Sequence, residues 1–426
     1  MAVRKIGPLL ATALVAGNLI GSGVFLLPAS LATIGSSTVI GWVVALCGAL
    51  LLAGMFAVLA ATRPSPDGLV RWPAENLHPA FGFVAWASYW ASNWLGNVAI
   101  ALAAVGYFGL FHPAIKSPGG TLAGTLVLIW AGTAVCLGGA RIATRIGGLT
   151  LVLGLLPILI ACGVGFAAFS GETFAASWNV SGKPLADTIA PSLLTVFWAF
   201  IGLESAAVAA AVVENPRRNV PIAALGGVAL AGVVYIAASV AVMGVIPAAE
   251  LQSSTAPFAD VVGRVAGSAA GGFVAFCAIA KICGTLLGWF LVTGECGRSG
   301  AAAGFLPRWV SEADPEQLPR RGLVVLGLLM SAVALATASP TLNAQFNLLL
   351  NITVTLFMVV YALCALSLAL DARQKLESRA LGVAALLFCA LVVGASDWSQ
   401  TAPALGLVLL LTPLGFWLNA RRRQPA

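Results

Sequence analysis

The sequence predicts an all-α integral membrane protein with about 12 transmembrane helices. Of its 426 residues, 60% are hydrophobic and only 9% are charged, which is too little polar surface for a soluble protein of this length. Its apolar runs are long enough to cross a bilayer as helices, and they lack the alternation that β-barrel strands show. We therefore interpret residues 1–426 as a single membrane domain.

The predicted spans, in chain order, cover residues 8–32, 38–61, 81–110, 121–139, 146–169, 188–212, 221–247, 268–294, 323–339, 345–370, 380–396 and 402–419. The first span follows Arg4 and Lys5, as a signal peptide would. It is longer than a signal peptide and lacks a clear small-residue cleavage site. We treat it as a retained span.

The basic residues predict how the chain is oriented in the membrane. With the amino terminus in the cytoplasm, 18 of the 22 Lys and Arg residues fall on the cytoplasmic side, as the positive-inside rule requires. We therefore expect a multi-pass protein of the inner membrane with both termini in the cytoplasm. The net charge of +7 is then a topology signal, and we expect no nucleic-acid partner.

The first span has three small residues at its centre, Gly21-Ser22-Gly23. Each glycine inside a helix costs about 1 kcal/mol relative to alanine. A broken helix in lipid is tolerated only where its free backbone groups line a cavity or meet a ligand. The motif therefore indicates a binding site, and the alternative is close helix packing through small residues.

The sixth span carries a second unusual motif, Trp198-Ala199-Phe200-Ile201-Gly202-Leu203-Glu204-Ser205-Ala206. A charge at the bilayer centre costs at least about 2.5 kcal/mol, so it normally faces a cavity or a partner. Glu204 is a candidate for gating, proton coupling or amine binding, and the alternative is a protonated structural residue. Spans 1 and 6 correspond if spans 1–10 form two halves, a pattern typical of inverted-repeat transporters with a midplane site.

Other function classes fit the sequence less well. Nothing resembles a P-loop, and His78 and His112 lie at opposite ends of the third span, which argues against a His-based intramembrane enzyme. The eight cysteines form no CxxC pair, and we expect no metal, no cofactor and no enzymatic activity. A channel would need a continuous polar pore, and a sensor would need an output domain; the sequence indicates neither.

The motifs resemble those of the amino acid–polyamine–organocation superfamily. Within it they are most similar to bacterial antiporters that exchange arginine for agmatine, ornithine for putrescine or lysine for cadaverine. The matching stretches, spread over nearly the whole chain, are residues 21–28, 94–99, 198–206, 214–221 and 284–289.

The resemblance implies a LeuT-like fold in which broken helices 1 and 6 belong to two inverted repeats, residues 1–170 and 188–370. Residues 380–420 would form two extra helices. The implied partners are a small-molecule amino acid or amine and membrane lipid. Family members are often homodimers, although no feature of the sequence indicates the oligomeric state.

The resemblance also implies site residues. Those expected to contact substrate are Leu19, Ser22, Gly23, Asn97, Ile100, Trp198, Ile201, Trp289 and Thr353, and those expected to form a gate are Tyr89, Glu204 and Tyr361. From the residues alone, a tryptophan face can hold a cation, whereas many tryptophans only anchor a span at the interface. Asn97 and Thr353 could equally join helices by hydrogen bonds.

Lys281 departs from the family pattern, because the relatives carry a small residue there. It lies in the eighth span, two turns before Trp289. Such a lysine could pair with Glu204, replace a coupling cation or snorkel to the outer interface. Glu204 and Lys281 are therefore candidate coupling residues.

We predict a secondary active transporter that exchanges a cationic amino acid for its decarboxylated amine by alternating access. The alternative is a proton-coupled or facilitative carrier of neutral amino acids, in which Lys281 stands in for a bound cation. The loop 64–72 lacks the tyrosine-bearing stretch of the acid-resistance relatives, so we expect no role in survival at extreme acidity.

Overall fold

The computed structural model describes residues 7–63, 65, 67–204, 213–310 and 319–423, which form helices and contain no strand. The helices are α1 (Pro8–Leu19), α2 (Leu27–Leu31), α3 (Thr38–Thr62), α4 (Gly68–Asn76), α5 (Pro79–Phe108), α6 (Pro118–Leu137), α7 (Ala140–Ala167), α8 (Gly171–Ala176), α9 (Leu185–Phe197), α10 (Pro216–Met243), α11 (Ala248–Leu251), α12 (Pro257–Ala266), α13 (Ser268–Ala302), α14 (Arg320–Ala336), α15 (Leu342–Leu370), α16 (Leu376–Gly394) and α17 (Trp398–Arg423).

Eight of the described helices are long and apolar enough to cross a membrane. They are α3, α6, α7, α10, α13, α15, α16 and α17, with α10 counted from Arg218 and α17 to Ala420. The predicted class, an all-helical multi-pass membrane protein, is therefore confirmed. Each of the 12 predicted spans overlaps a helix, while the number of spans and their division into two repeats stay predictions.

Some helices continue beyond the predicted spans. The predicted span 268–294 ends just before Glu295, whereas α13 extends to Ala302. Glu295 and Arg298 form an ion pair of 3.4 Å on this last part of the helix. Hydropathy detects the apolar section of a helix, but backbone hydrogen bonds continue whether or not the side chains are apolar.

The first span is broken at the Gly-Ser-Gly motif. α1 ends at Leu19, and the seven residues between α1 and α2 are not helical. Tyrosine hydroxyls bond to carbonyl groups that the break exposes: Tyr235 of α10 donates to Leu19 O, and Tyr107 of α5 donates to Phe25 O at 3.1 Å. The break is therefore held by neighbouring helices, as a stable interruption inside a membrane requires.

The sixth predicted span is also interrupted. α9 ends at Phe197 and is followed by the 3-10 turn Trp198–Phe200. Gly202 has a φ of +102°, a conformation that favours glycine because it has no Cβ. The chain then turns so that the Gly202 N–H donates to Glu204 Oε2 at 3.2 Å. Ser205 and Ala206, the end of the motif, lie outside the described residues.

The two breaks meet inside the helix bundle. A Cβ added to Gly23 in the first break would lie 3.2 Å from Trp198 Cδ1 in the second. α5 packs against both α13 and α15 beside this point. The fold therefore brings two non-helical segments and three long helices together, and the space between them is the candidate site.

Candidate functional site

A cavity lies between the two breaks and the middle parts of α5, α13 and α15. It contains about 440 Å³ of space between protein atoms, including its open mouth. None of the described residues that line it is charged. A charged ligand would therefore meet dipoles and aromatic rings.

All nine residues expected to contact substrate line this one cavity. Leu19, Ser22 and Gly23 come from the first break, Asn97 and Ile100 from α5, Trp198 and Ile201 from the second break, Trp289 from α13 and Thr353 from α15. The fold thus assembles residues that are more than 300 positions apart in the chain. Their contact with substrate stays a prediction.

Sequence reasoning missed four polar residues of the wall: Asn18, Ser92, Asn93 and Thr285. Asn93 could have been found, because it precedes Asn97 by four residues and such residues share one face of a helix. The other three are small or end a helix, and only their packing reveals them.

Gly96 allows a close approach of the walls. A Cβ added at this position would lie 3.3 Å from Thr353 Cγ2 and 3.5 Å from the Trp198 ring. α15 and the second break therefore reach the backbone of α5 beside Asn97. A larger residue at position 96 would push them apart.

The two tryptophans of the wall are held by edge contacts with phenylalanines. The ring of Trp198 lies 6.1 Å from that of Phe346, at an interplanar angle of 83°. The ring of Trp289 lies 6.3 Å from that of Phe357, at 78°. Such T-shaped pairs are favourable, so both indoles are positioned before any ligand arrives.

Several buried polar atoms of the wall have no hydrogen-bond partner among the described residues. They are both amide atoms of Asn93, Asn97 Oδ1, Thr353 Oγ1 and Trp198 Nε1. A buried polar group without a partner costs about 1–3 kcal/mol. Their presence on the walls of one cavity indicates a site for a polar ligand.

The orientation of the Asn97 amide follows from its partner. Thr293 donates its hydroxyl proton to Trp289 O at 2.6 Å. A hydroxyl has one proton, so Thr293 Oγ1 can only accept from Asn97, whose Nδ2 lies 3.2 Å away. The amide oxygen of Asn97 therefore remains available on the cavity side.

The backbone of the first break offers donors. The N–H groups of Ser22 and Gly23 make no hydrogen bond with the described residues. Two adjacent free N–H groups suit a carboxylate, which accepts through both oxygens.

The three predicted gate residues meet at one end of the cavity. The Tyr361 hydroxyl donates to Glu204 Oε2, and the Tyr89 hydroxyl donates to Oε1 at 3.3 Å. Tyr89 precedes the cavity-lining part of α5, whereas Tyr361 follows that of α15. The two helices therefore run antiparallel here, and the cluster lies at one end of the cavity. Its role as a gate stays a prediction.

Lys281 lies away from this cavity. It is only 6% exposed, and it makes no hydrogen bond or ion pair with the described residues, Glu204 included. Its stem packs against α7, where a Cβ added to Gly154 would lie 2.1 Å from Lys281 Cδ. The pairing with Glu204 that the sequence left open is therefore absent from this conformation.

Among the described residues, no group of three His, Cys, Asp or Glu could hold a metal ion. All eight cysteines are free thiols, and four of them, Cys136, Cys277, Cys364 and Cys389, are buried.

Comparisons with known proteins give consistent matches. A family model described as "Amino acid permease" matches residues 6–416. The cadaverine/lysine antiporter of Escherichia coli (strain K12) is 37% identical over 365 residues, 84% of this chain and 82% of that protein. The putrescine transporter PotE of the same strain is 34% identical over 367 residues, covering 86% and 84%. Its Haemophilus influenzae counterpart is 33% identical over 366 residues, with the same coverage.

Proposed function

The chain belongs to the amino acid permease family, and we propose that it exchanges a cationic amino acid for its decarboxylated amine by alternating access. The observation that carries this proposal is the cavity between two broken helices, which offers backbone donors, two tryptophans and unpaired acceptor oxygens. The family consists of transporters, so the predicted resemblance and the absence of enzymatic activity are confirmed. The neutral-carrier alternative is not favoured, because the relatives' names specify lysine, cadaverine and putrescine.

We assign the α-carboxylate of the amino acid to the first break. The free N–H groups of Ser22 and Gly23 would donate to its two oxygens. The decarboxylated amine lacks this group and would leave these donors to water. The two substrates of the exchange would therefore share the amine-binding part of the cavity and differ at the first break.

The hydrophobic part of the wall suits the aliphatic stem of such substrates. Ile100 of α5 and Ile201 of the second break both line the cavity. The indole faces of Trp198 and Trp289 can hold a cationic group by cation–π attraction, worth about 2 kcal/mol when the cation is desolvated. This interaction needs no carboxylate in the wall.

Glu204, Tyr89 and Tyr361 would form the cytoplasmic gate. With both termini in the cytoplasm, α5 runs outward, so Tyr89 lies on the cytoplasmic side of the cavity and Trp198 on the outer side. Opening the gate would break the tyrosine bonds to Glu204, and hydrogen bonds to charged groups contribute about 1.5–3 kcal/mol each. The binding energy of a substrate can offset a cost of this size.

Residues 1–170 and 188–370 would form the two inverted repeats of a 12-span LeuT-like fold, and residues 380–420 would add two helices. Two interrupted helices in corresponding positions support this division. The protein would lie in the inner membrane, surrounded by lipid, as a homodimer.

Lys281 would act as a coupling residue, as Glu204 would, although the two make no contact. Because it does not line the cavity, its charge does not directly oppose a cationic substrate. An unpaired lysine inside a membrane protein is costly and is usually functional. Lys281 lies on α13 and packs against α7, so a shift between these two helices would change its surroundings.

The test is counterflow in proteoliposomes made from the purified protein. Vesicles loaded with cadaverine, putrescine, agmatine or buffer would receive labelled lysine, ornithine, arginine or leucine, with protein-free vesicles as the control. We expect uptake of a cationic amino acid only when an amine is inside. Uptake of leucine into vesicles without amine would overturn the proposal.

A further inference from the structure

We propose that Asn93 contacts the distal end of the substrate, where its side-chain cation lies, and that this contact selects a primary ammonium over a guanidinium. This inference rests on the proposed function, since it names the chemical class that the same cavity takes. Asn93 is 2% exposed and lines the cavity, yet both atoms of its amide lack a hydrogen-bond partner among the described residues. Nothing among the described residues explains why a buried amide has both its donor and its acceptor unpaired.

Asn93 belongs to a set of three unpaired oxygens around Gly96. Asn93 and Asn97 are one helical turn apart on α5, about 6 Å along its axis, and Gly96 lies between them in the chain. Thr353 contacts Gly96 from α15. The oxygens left free are Asn93 Oδ1, Asn97 Oδ1 and Thr353 Oγ1.

Three acceptors from two helices match a primary ammonium in number. This group has three N–H donors in a compact arrangement, whereas a guanidinium presents five in one plane. The acceptors come from two different helices and are neutral. They can accept the N–H donors of an ammonium, but they do not offer the bidentate pairing that a guanidinium makes with a carboxylate.

The position of Asn93 would also bring the bound substrate close to the predicted gate residues. Its amide lies beside the Tyr89 hydroxyl, although the two make no hydrogen bond within normal geometric limits. Tyr89 in turn bonds to Glu204. An ammonium held by Asn93 would therefore lie next to the residues that close the cavity, so substrates too short to reach Asn93 would leave the gate region unoccupied.

The test compares lysine, arginine and norleucine as competitors for labelled lysine on the purified protein in detergent. Norleucine has the lysine stem with a methyl group in place of the ammonium. We expect Asn93→Leu to reduce the preference for lysine over norleucine, and that for lysine over arginine, by about tenfold or more, the size expected for losing a hydrogen bond to a charged group. Unchanged preferences would overturn the proposal.

A matched control is Asn351→Leu. Asn351 is likewise buried and has an unpaired amide oxygen, but it lies outside the cavity, so the preferences should stay as in the wild type. If Asn93→Leu does not give a monodisperse protein, Asn93→Ala, which removes the same atoms without adding volume, should show the same loss. A control variant with the same loss would also overturn the proposal.

The binding experiment and the exchange experiment can contradict the two proposals independently of each other. A wild-type protein that binds lysine in preference to norleucine through Asn93, but exchanges nothing in proteoliposomes, would refute the proposed function and leave the role of Asn93 standing. A wild-type protein that prefers arginine to lysine would refute the role of Asn93 while leaving cationic exchange intact.

Discussion

The guanidinium of Arg63 lies 2.8 Å from the carboxylate of Asp371, and this ion pair joins the end of α3 to the end of α15. Both side chains are largely buried, with 15% and 3% exposed. Arg63 also donates to Asn76 Oδ1, and Asn76 Nδ2 donates to Ser367 Oγ at 2.8 Å. The pair therefore fastens α4 to both helices on the side of the bundle where Glu204 lies.

We expect Asp371→Asn to lower the free energy of unfolding at pH 7 by about 1–3 kcal/mol, because it leaves a buried guanidinium without its charged partner. Burial alone raises the pKa of Asp371, but hydrogen bonds from Arg373 and the charge of Arg63 outweigh it and hold this pKa below the usual 3.8. Such a carboxylate stabilises the fold above its unfolded-state pKa, and this contribution is lost as pH falls through the folded-state pKa.

Thermal unfolding in detergent measures this effect. The variant and the wild type should differ at pH 7 and converge as the pH falls below 3.8. Glu75→Gln is the control, because Glu75 pairs with Arg71 on the exposed face of α4, where such pairs contribute little. A constant difference at every pH would contradict the assignment.

Thr293→Val should weaken lysine binding about tenfold. Valine has the shape of threonine but cannot accept the bond from Asn97, so the amide is free to turn a donor toward the substrate cation. Thr293→Ser retains a hydroxyl and should bind lysine as the wild type does. Equal affinities for the valine and serine variants, measured by competition with labelled lysine, would show that Thr293 does not orient the amide.

Tyr361→Phe should favour the state that is open to the cytoplasm by about tenfold, since it removes a hydrogen bond to Glu204. The external lysine concentration for half-maximal exchange should then rise, and the internal amine concentration for half-maximal exchange should fall. Tyr89→Phe should act in the same direction but less, because its bond to Glu204 is longer, at 3.3 Å. If both concentrations move in the same direction, Tyr361 belongs to substrate binding rather than to a gate.

Gly154→Ala should destabilise the protein by about 1–3 kcal/mol, the usual cost of overpacking, because the added methyl would overlap the stem of Lys281. Lys281→Ala should remove the overlap, so the double variant should be more stable than the sum of the single effects indicates. Unfolding temperatures of the four proteins measure this coupling. Strictly additive effects would show that the two residues do not pack together.

Both helix breaks could be predicted from short motifs. Gly21-Ser22-Gly23 and the stretch around Gly202 disfavour a helix through the backbone preferences of the residues themselves. The nine residues expected at the site came from the family resemblance, and the structure brings all nine to one cavity. Asn93 shares a helix face with Asn97, which was a signal in the sequence, but only the structure shows that its amide has no partner.

Other features depended on contacts between distant parts of the chain. Lys281 was an unexplained charge in the sequence, and the structure places it against Gly154 of α7 instead of Glu204. The sequence shows Arg63 and Asp371 as charged residues next to apolar spans, but not that they form a pair.

By itself, the sequence determined the membrane class, the all-helical fold, the apolar spans and the two breaks, because these depend on residues close together in the chain. Only the tertiary structure decided which side chains meet in the cavity, which way the Asn97 amide points and what surrounds Lys281. Such contacts join residues of different helices, and their geometry depends on how those helices pack.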